Sequence, residues 1–480
     1  MVQRSKIYKI LEITAEQFMR SGISGSLYSA DSGLFYSAAH VDPFNIPGVL
    51  MGGYTPAQIG AAVVVDTIKY FCSSLGAGGN GVYSFGYGDT GKMYRINLFD
   101  DTVALLATVA TSVGNGLELY NAAVYYSRNG YLGKMTNIEG TTPTFNDTFG
   151  TFTNSIAEHP LHKFAGKLYC GDGDHLDMND GTTHSDNVLD IPSEYKIIDI
   201  DDDGYYLVIV AVKRPDTGNL NRTSTKIYFW NAISPYTWNM EWEINDGEIT
   251  GISHIGERQM MAFTNAGIYS FTVSSAPKPF IETGGIGAPF TSNDFQPFAG
   301  AIQSWRGCLS WASNGKIFTY GKVLYNLPKI ITTPVSLADI KSFFVGSSSY
   351  NWLYASTTEN KLYKISTGSF GGVFQTGYID LKRPWLIKRV KLYLQDTLAS
   401  ANGSMVEVQL IGDNGEATFQ KFFSSDGYSG NPAYGTTKRS FWADGEEIAT
   451  RIRVYVDMTG YNTFRKLEIY GYPLSNEITI

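Results

Sequence analysis

The feature that most restricts the fold is a hairpin that recurs between residues 82 and 363. An apolar strand runs into an Asn/Asp/Gly turn, and the return strand sets an aliphatic residue beside an aromatic one. Clear copies occupy residues 82–94, 261–269, 309–318 and 353–363, closing on Met93-Tyr94, Ile268-Tyr269, Ile317-Phe318 and Leu362-Tyr363. Weaker copies fill residues 124–132, 167–176 and 206–228. Taking Met93, Leu132, Leu176, Ile227, Ile268, Ile317 and Leu362 as equivalents gives spacings of 39, 44, 51, 41, 49 and 45 residues. Turn residues of this kind between alternating apolar runs signal hairpins, and a period near 40–50 with hairpins inside it is that of a propeller blade. A single four-stranded blade cannot cover its own faces, so such units bury apolar surface only by stacking around an axis. The expectation is an all-β chain built on a β-propeller of about seven blades. Residues 140–161 are irregular enough to leave the count open by one. Neither a repeated Trp-Asp signature nor paired glycines mark the repeats, so the reading rests on the period.

Composition agrees with it. The chain has 51 Gly, 32 Tyr and 27 Phe but only 17% charged residues, a mixture suited to strands and tight turns. At 480 residues it also exceeds what one hydrophobic core supports, so a second unit is expected. The rhythm changes after Gly371. Residues 378–381, 387–394, 406–411, 451–457 and 466–470 alternate apolar and polar residues as half-buried antiparallel strands do. With Val406, Val408, Leu410, Ile452, Val454, Val456, Leu467 and Ile469 facing inward, they predict a C-terminal β-sandwich of jelly-roll type. The domain expectation is therefore an extended N-terminal arm over 1–56, a propeller over 57–371 and a sandwich over 372–480. Within the arm, residues 9–20 predict a short helix. The proline-punctuated stretch that follows carries Asp42 and the apolar residues Phe44, Ile46, Val49, Leu50 and Met51, a segment expected to dock on the propeller face or on a neighbouring subunit.

Several function classes are disfavoured. A net charge of −8 gives no footprint for wrapping nucleic acid, and no sequence-specific nucleic-acid binding is expected. The local basic run Lys382, Arg383, Lys388, Arg389 and Lys391 alternates with apolar residues, as a solvated strand face does. Cys72, Cys170 and Cys308 lie far apart without metal spacing, which predicts buried free thiols and assembly in a reducing cytoplasm. The charged first twenty residues do not fit a signal peptide, and the longest apolar stretch, residues 59–68, is strand-sized, so no membrane insertion is expected.

The sharpest chemical motif is Asp199-Ile-Asp201-Asp-Asp203-Gly204, which resembles a calcium loop. Val210 stands where an EF-hand places its bidentate Glu, and a plain acidic hairpin turn explains the run as well, so no cofactor is expected beyond calcium as a side reading. Residues 159–186 hold His159, His162, Asp172, Asp174, His175, Asp177, Asp180, His184 and Asp186. Without paired ligands at zinc spacing, loop composition accounts for them. Trp230, Trp238 and Trp242 suggest sugar stacking, but large aromatics beside strands equally fill the wedge between blades. No nucleophile elbow, phosphate loop or sialidase-type box is present, and the chain is read as not an enzyme.

End to end, the order is a proline-marked arm, hairpin repeats ending in Leu362-Tyr-Lys-Ile365, and Gly377-Tyr-Ile-Asp-Leu381 opening a sandwich. The sandwich closes through Arg451-Ile-Arg-Val-Tyr-Val-Asp457 and Lys466-Leu-Glu-Ile-Tyr470. This layout resembles propeller-type virion proteins of tailed bacteriophages, including nozzle or hub proteins of short tails. The resemblance implies a non-enzymatic, homo-oligomeric subunit assembled in the host cytoplasm, resident in the virion and contacting other tail, portal or capsid proteins. The alternatives are a host-glycan-binding adhesin and a propeller-type glycoside hydrolase.

Overall fold

The computed structural model describes residues 7–21, 35–43, 46, 48–73, 83–109, 116–155, 158–213, 224–233, 237–245, 247–255, 258–265, 267–281, 294, 296–305, 308–321, 330–337, 339–346, 352–366, 371–398, 404–428, 431–460 and 462–474. Between residues 55 and 366 they form seven four-stranded antiparallel sheets, the blades of a propeller. Blade 1 is Ile68–Ser73, Tyr83–Gly88, Lys92–Asn97 and Val103–Thr108; blade 2 is Gly116–Tyr120, Ala123–Arg128, Tyr131–Thr136 and Thr144–Thr151. Blade 3 is Leu161–Phe164, Lys167–Asp172, His175–Asn179 and His184–Asp190; blade 4 is Lys196–Asp202, Leu207–Lys213, Ser224–Trp230 and Met240–Ile244. Blade 5 is Ile249–Ile255, Gln259–Thr264, Gly267–Thr272 and Ser275–Ile281, and blade 6 is Ile302–Trp305, Cys308–Ser313, Lys316–Gly321 and Ile330–Ser336. Blade 7 takes Ile340–Val345, Leu353–Thr357 and Lys361–Ser366 from its own stretch of chain and its outer strand, Thr55–Ile59, from before blade 1.

The first strands of successive blades line the axis, and that of blade 7 returns to that of blade 1. Borrowing an outer strand ties the start of the ring to its end, so opening the ring means breaking a full ladder. All seven sequence anchors, from Met93 to Leu362, lie on the third strand of a blade and are buried. Residues 144–151 are the outer strand of blade 2, so the irregular stretch hides no extra blade. Each pair of neighbouring blades shares an apolar cluster. Phe85, Tyr87, Val124 and Tyr126 seal blades 1 and 2, and Ile68, Tyr94, Phe344, Tyr354 and Leu362 seal blade 7 against blade 1.

The C-terminal strands are Gly372–Thr376, Ile379–Leu394, Met405–Ile411, Ala417–Ser424, Ser440–Thr459 and Thr463–Pro473. They join one connected ten-stranded sheet whose other four strands come from the N-terminal residues. The long strand Ser440–Thr459 serves two halves of it. Its first part pairs with Ile379–Leu394, and its last residues pair with Met405–Ile411 on one side and Gly372–Thr376 on the other. Because that strand crosses from one half to the other, the hydrogen-bonded network is continuous and barrel-like. All eight residues predicted to face inward are buried in its single core.

The N-terminal arm is not free-standing. Tyr8–Thr14 pairs with Thr463–Pro473, Phe35–Ala39 with Gly372–Thr376, and Leu50–Gly52 with Val41–Asp42 and Thr463–Pro473. Phe18, Phe35, Phe374 and Phe464 pack in series, tilted or edge-to-face, with ring centroids 4.7, 5.5 and 4.8 Å apart. The predicted helix begins late. Residues 8–14 are strand because an open edge of Thr463–Pro473 accepts them, and only Ala15–Ser21 is helical, started by reciprocal bonds between Thr14 and Gln17.

Candidate functional site

Because the first strand of every blade faces the axis, residues far apart in sequence meet there. A cavity of about 580 Å3 is lined by Lys69 of blade 1, Glu158 before blade 3, Asp199 of blade 4, Glu248 and Thr250 of blade 5, and Lys341 of blade 7. The short turn Ala299–Ala301, which leads into blade 6, presses into the channel. A Cβ on Gly300 would lie 2.1 Å from the Lys69 carbonyl oxygen, so this position admits only glycine without a backbone shift. Asp199 keeps some exposed area toward the cavity but lies deep in it, and burial pushes its carboxyl up to about 7 even though the Ile252 N–H donates to it at 2.9 Å. Burial, then the like charge of Lys69, lowers the Lys341 ammonium, which sits over the Phe298 ring.

One pleat further along blade 4, Asp201 shares the axial face with Asp199. His254 of blade 5 contacts its carboxylate at 3.2 Å, and His162 of blade 3 lies 3.8 Å from Asp201 and 2.7 Å from Asp202. Burial works against protonating His162, but its bond to Asp202 and the charge of Asp201 outweigh that and raise its pKa. Three adjacent blades thus gather two imidazoles and two carboxylates at the channel mouth. Ligand atoms of His162, Asp201 and Asp202 all lie within 4.8 Å of one another, close enough to share a cation.

The predicted calcium loop is divided among three environments. Asp199 and Asp201 are on a strand, the first in the cavity and the second at its mouth, while Asp203 is buried and accepts the Tyr205 and Tyr206 N–H groups in the turn. These three carboxylates do not form one loop, because regular pairing continues through Asp202 opposite Leu207. The docking residues also changed place. Asp42, Val49 and Leu50 are buried within the chain, Ile46 and Met51 are partly buried, and Phe44 lies outside the described residues. Asp42 accepts the Tyr54 hydroxyl, which fixes it inside the chain's own packing. The apolar pattern that suggested a partner is satisfied by the C-terminal sheet.

Trp230 is buried against Tyr169, and the Trp242 indole donates to the Thr272 carbonyl across blades 4 and 5 at 3.0 Å, so both fill blade wedges. Cys72, Cys170 and Cys308 are buried free thiols. Lys382, Lys388 and Arg389 pair with Asp380, Glu446 and Asp444 on the outer face of the C-terminal sheet. That face carries an aromatic group that sequence reading passed over. Trp442, 43% exposed, lies 5.2 Å from Tyr470 and beneath Lys391 and Arg389. Beside it, Tyr393 and Tyr470 both donate to Glu468 at 2.8 Å. The cavity residues Lys69, Thr250 and Lys341 were missed as well, although each is the second residue of a first strand once the repeats are aligned.

No family model and no curated protein matches the chain. Among solved structures, the WD40 beta propeller domain of Doa1 is 9% identical, with a TM-score of 0.44, covering 67% of this chain and 98% of that one. The computationally designed Ika8 protein is 9% identical, with a TM-score of 0.39, covering 65% and 98%. Among the described residues, no helix is long and apolar enough to cross a membrane. The blade count rests on the chain's own hydrogen-bonding: it is a seven-bladed β-propeller continued by a ten-stranded sheet.

Proposed function

We propose that this chain is a non-catalytic structural subunit of a virus particle, a bacteriophage tail or head-tail component that acts through protein–protein assembly. The observation that carries this reading is the way both chain ends are woven in. Thr55–Ile59 completes blade 7, and the strands before it are built into the same sheet as the last strand, Thr463–Pro473. The connections that lead into and out of the propeller, before Thr55 and after Ser366, therefore both run to strands of one sheet, a construction suited to bearing load within an assembly. The layout resemblance to short-tail nozzle and hub proteins points the same way. The reading includes several symmetric copies, contacts with tail, portal or capsid proteins, residence in the virion, and the curled sheet as a sandwich of jelly-roll type. Cryo-electron microscopy of the purified chain and of particles containing it tests this. A symmetric ring seated on other virion proteins is expected, and a monomer absent from every particle overturns it.

Exposed Trp442, packed on partly buried Tyr470 and lying under two cations, supports a second reading as a glycan-binding adhesin, because flat aromatic faces stack on sugar rings. Saturable binding on a glycan array that is lost in Trp442→Ala would favour it. Sugar release that is lost in Glu158→Gln or Glu248→Gln would instead move the channel carboxylates and hydrolysis to the front.

A further inference from the structure

Away from the channel, the outer half of blade 3 holds a second group of histidine and carboxylates. His184 starts the outer strand, and its Nε2 lies 3.3 Å from Asp177 Oδ2 on the neighbouring strand and 3.2 Å from Asp186 Oδ1. All three ligand atoms fall within 4.8 Å of one another. A tetrahedral cation with bonds of about 2.0–2.2 Å sets its ligand atoms about 3.3–3.6 Å apart, close to the two His184 separations. Neither contact has hydrogen-bond alignment, and Asp177 Oδ2 and both ring nitrogens of His184 are buried. A protonated imidazole held between two carboxylates would donate along at least one of them, and an unsatisfied buried carboxylate oxygen is costly. Lone pairs that share the right separation without pointing at one another are what a common cation requires.

The surroundings fix this arrangement. A register shift between Leu176 and Met178 bulges the outer strand and carries Asp186 beside His184. The Asn187 N–H, from a residue at positive φ, donates to Asp177 Oδ1 at 2.8 Å and leaves Oδ2 facing the ring. On its other side the imidazole lies against blade 2, where a Cβ at Gly150 would come within 2.8 Å of it and Phe152 meets it edge-on at 6.0 Å. Such outer-shell restraint is what orients metal ligands.

We infer that Asp177, His184 and Asp186 form a binding site for a divalent first-row transition cation of the zinc or cobalt class, which clips the outer strand of blade 3 beside blade 2. One imidazole and two carboxylates suit such ions better than calcium, which takes oxygen ligands. Asp186 is 67% exposed, so the remaining coordination position opens toward solvent.

The test uses the full chain stripped with chelator and titrated with Co2+, followed by its visible ligand-field absorption and by displacement with Zn2+. One equivalent should bind. Asp186→Asn, which alters only an exposed side chain, and His184→Gln should each weaken binding by more than about tenfold, a loss that even outer-shell changes can produce. His162→Gln at the channel mouth should leave this affinity unchanged. Absence of stoichiometric binding to the unmodified chain overturns the inference. Binding that survives Asp186→Asn and His184→Gln but is lost in His162→Gln also overturns it, by assigning the cation to the channel mouth.

Discussion

Deleting residues 1–50 separates the two units of the chain. The deletion removes Ile13, Phe18, Phe35, Val41 and Leu50, all buried in the core of the C-terminal sheet. At about 1.5–3 kcal/mol for each large apolar side chain buried, their loss totals about 8–15 kcal/mol as an upper bound. A whole domain is stable by only about 5–15 kcal/mol, so the ten-stranded sheet should not survive. Its exposed edge at Thr463–Pro473 should then promote aggregation. The propeller keeps Thr55–Ile59 and every seal between blades, and should still unfold cooperatively. Calorimetry of the full chain and the deletion variant, with limited proteolysis mapped by mass spectrometry, reads this directly. The variant should lose one transition and be cut within residues 372–474 while residues 55–366 resist. Retention of both transitions at unchanged temperature would refute the packing argument.

Three further outcomes follow from single sites. Burial alone would push Glu468 up, but bonds from Lys466, Tyr393 and Tyr470 outweigh it and hold the carboxyl at about 2. A depressed carboxyl contributes stability above its unfolded pKa and loses it as pH falls toward the folded value, so Glu468→Gln should cost about 2 kcal/mol at pH 7 in urea unfolding. That difference should fade between about pH 4.5 and 2; a constant difference across that window would show that charge is not the cause. Gly300→Val should lower the melting temperature through a backbone clash worth about 1–3 kcal/mol, and an unchanged melting temperature would mean that the channel turn moves freely. Trp242→Phe removes the indole donor between blades 4 and 5 and should cost about 0.5–1.5 kcal/mol by chemical denaturation, unless water replaces the bond at no loss.

The propeller was legible because each hairpin is encoded locally. Turns such as Asn314-Gly315, at φ of 51° and 69°, and the alternation on either side specify two strands within about a dozen residues. Seven anchors chosen by residue type alone therefore fall on seven equivalent strands. The acidic run and the histidine-rich stretch were visible in the sequence too, but their grouping was not. His162 belongs with Asp201 and Asp202 of the next blade, whereas His184 belongs with Asp177 and Asp186 across a bulge. Adjacency in sequence had placed the two histidines in one loop, and strand order put them at the inner and outer edges of the blade.

The sequence by itself determined that the chain is built mainly of β-strands, that its hairpins repeat about seven times, which residues of each hairpin face a core, and where the rhythm changes. Those are properties of turn chemistry and of a two-residue period, both readable within one segment. The tertiary structure alone decided that Val49 and Leu50 are buried within the chain rather than docking surface, that an early strand completes the last blade, and which side chains meet at the axis. Burying an apolar strand gains the same free energy against its own chain as against a partner, and pairing between residues 8–14 and 463–473 leaves no local mark on either segment.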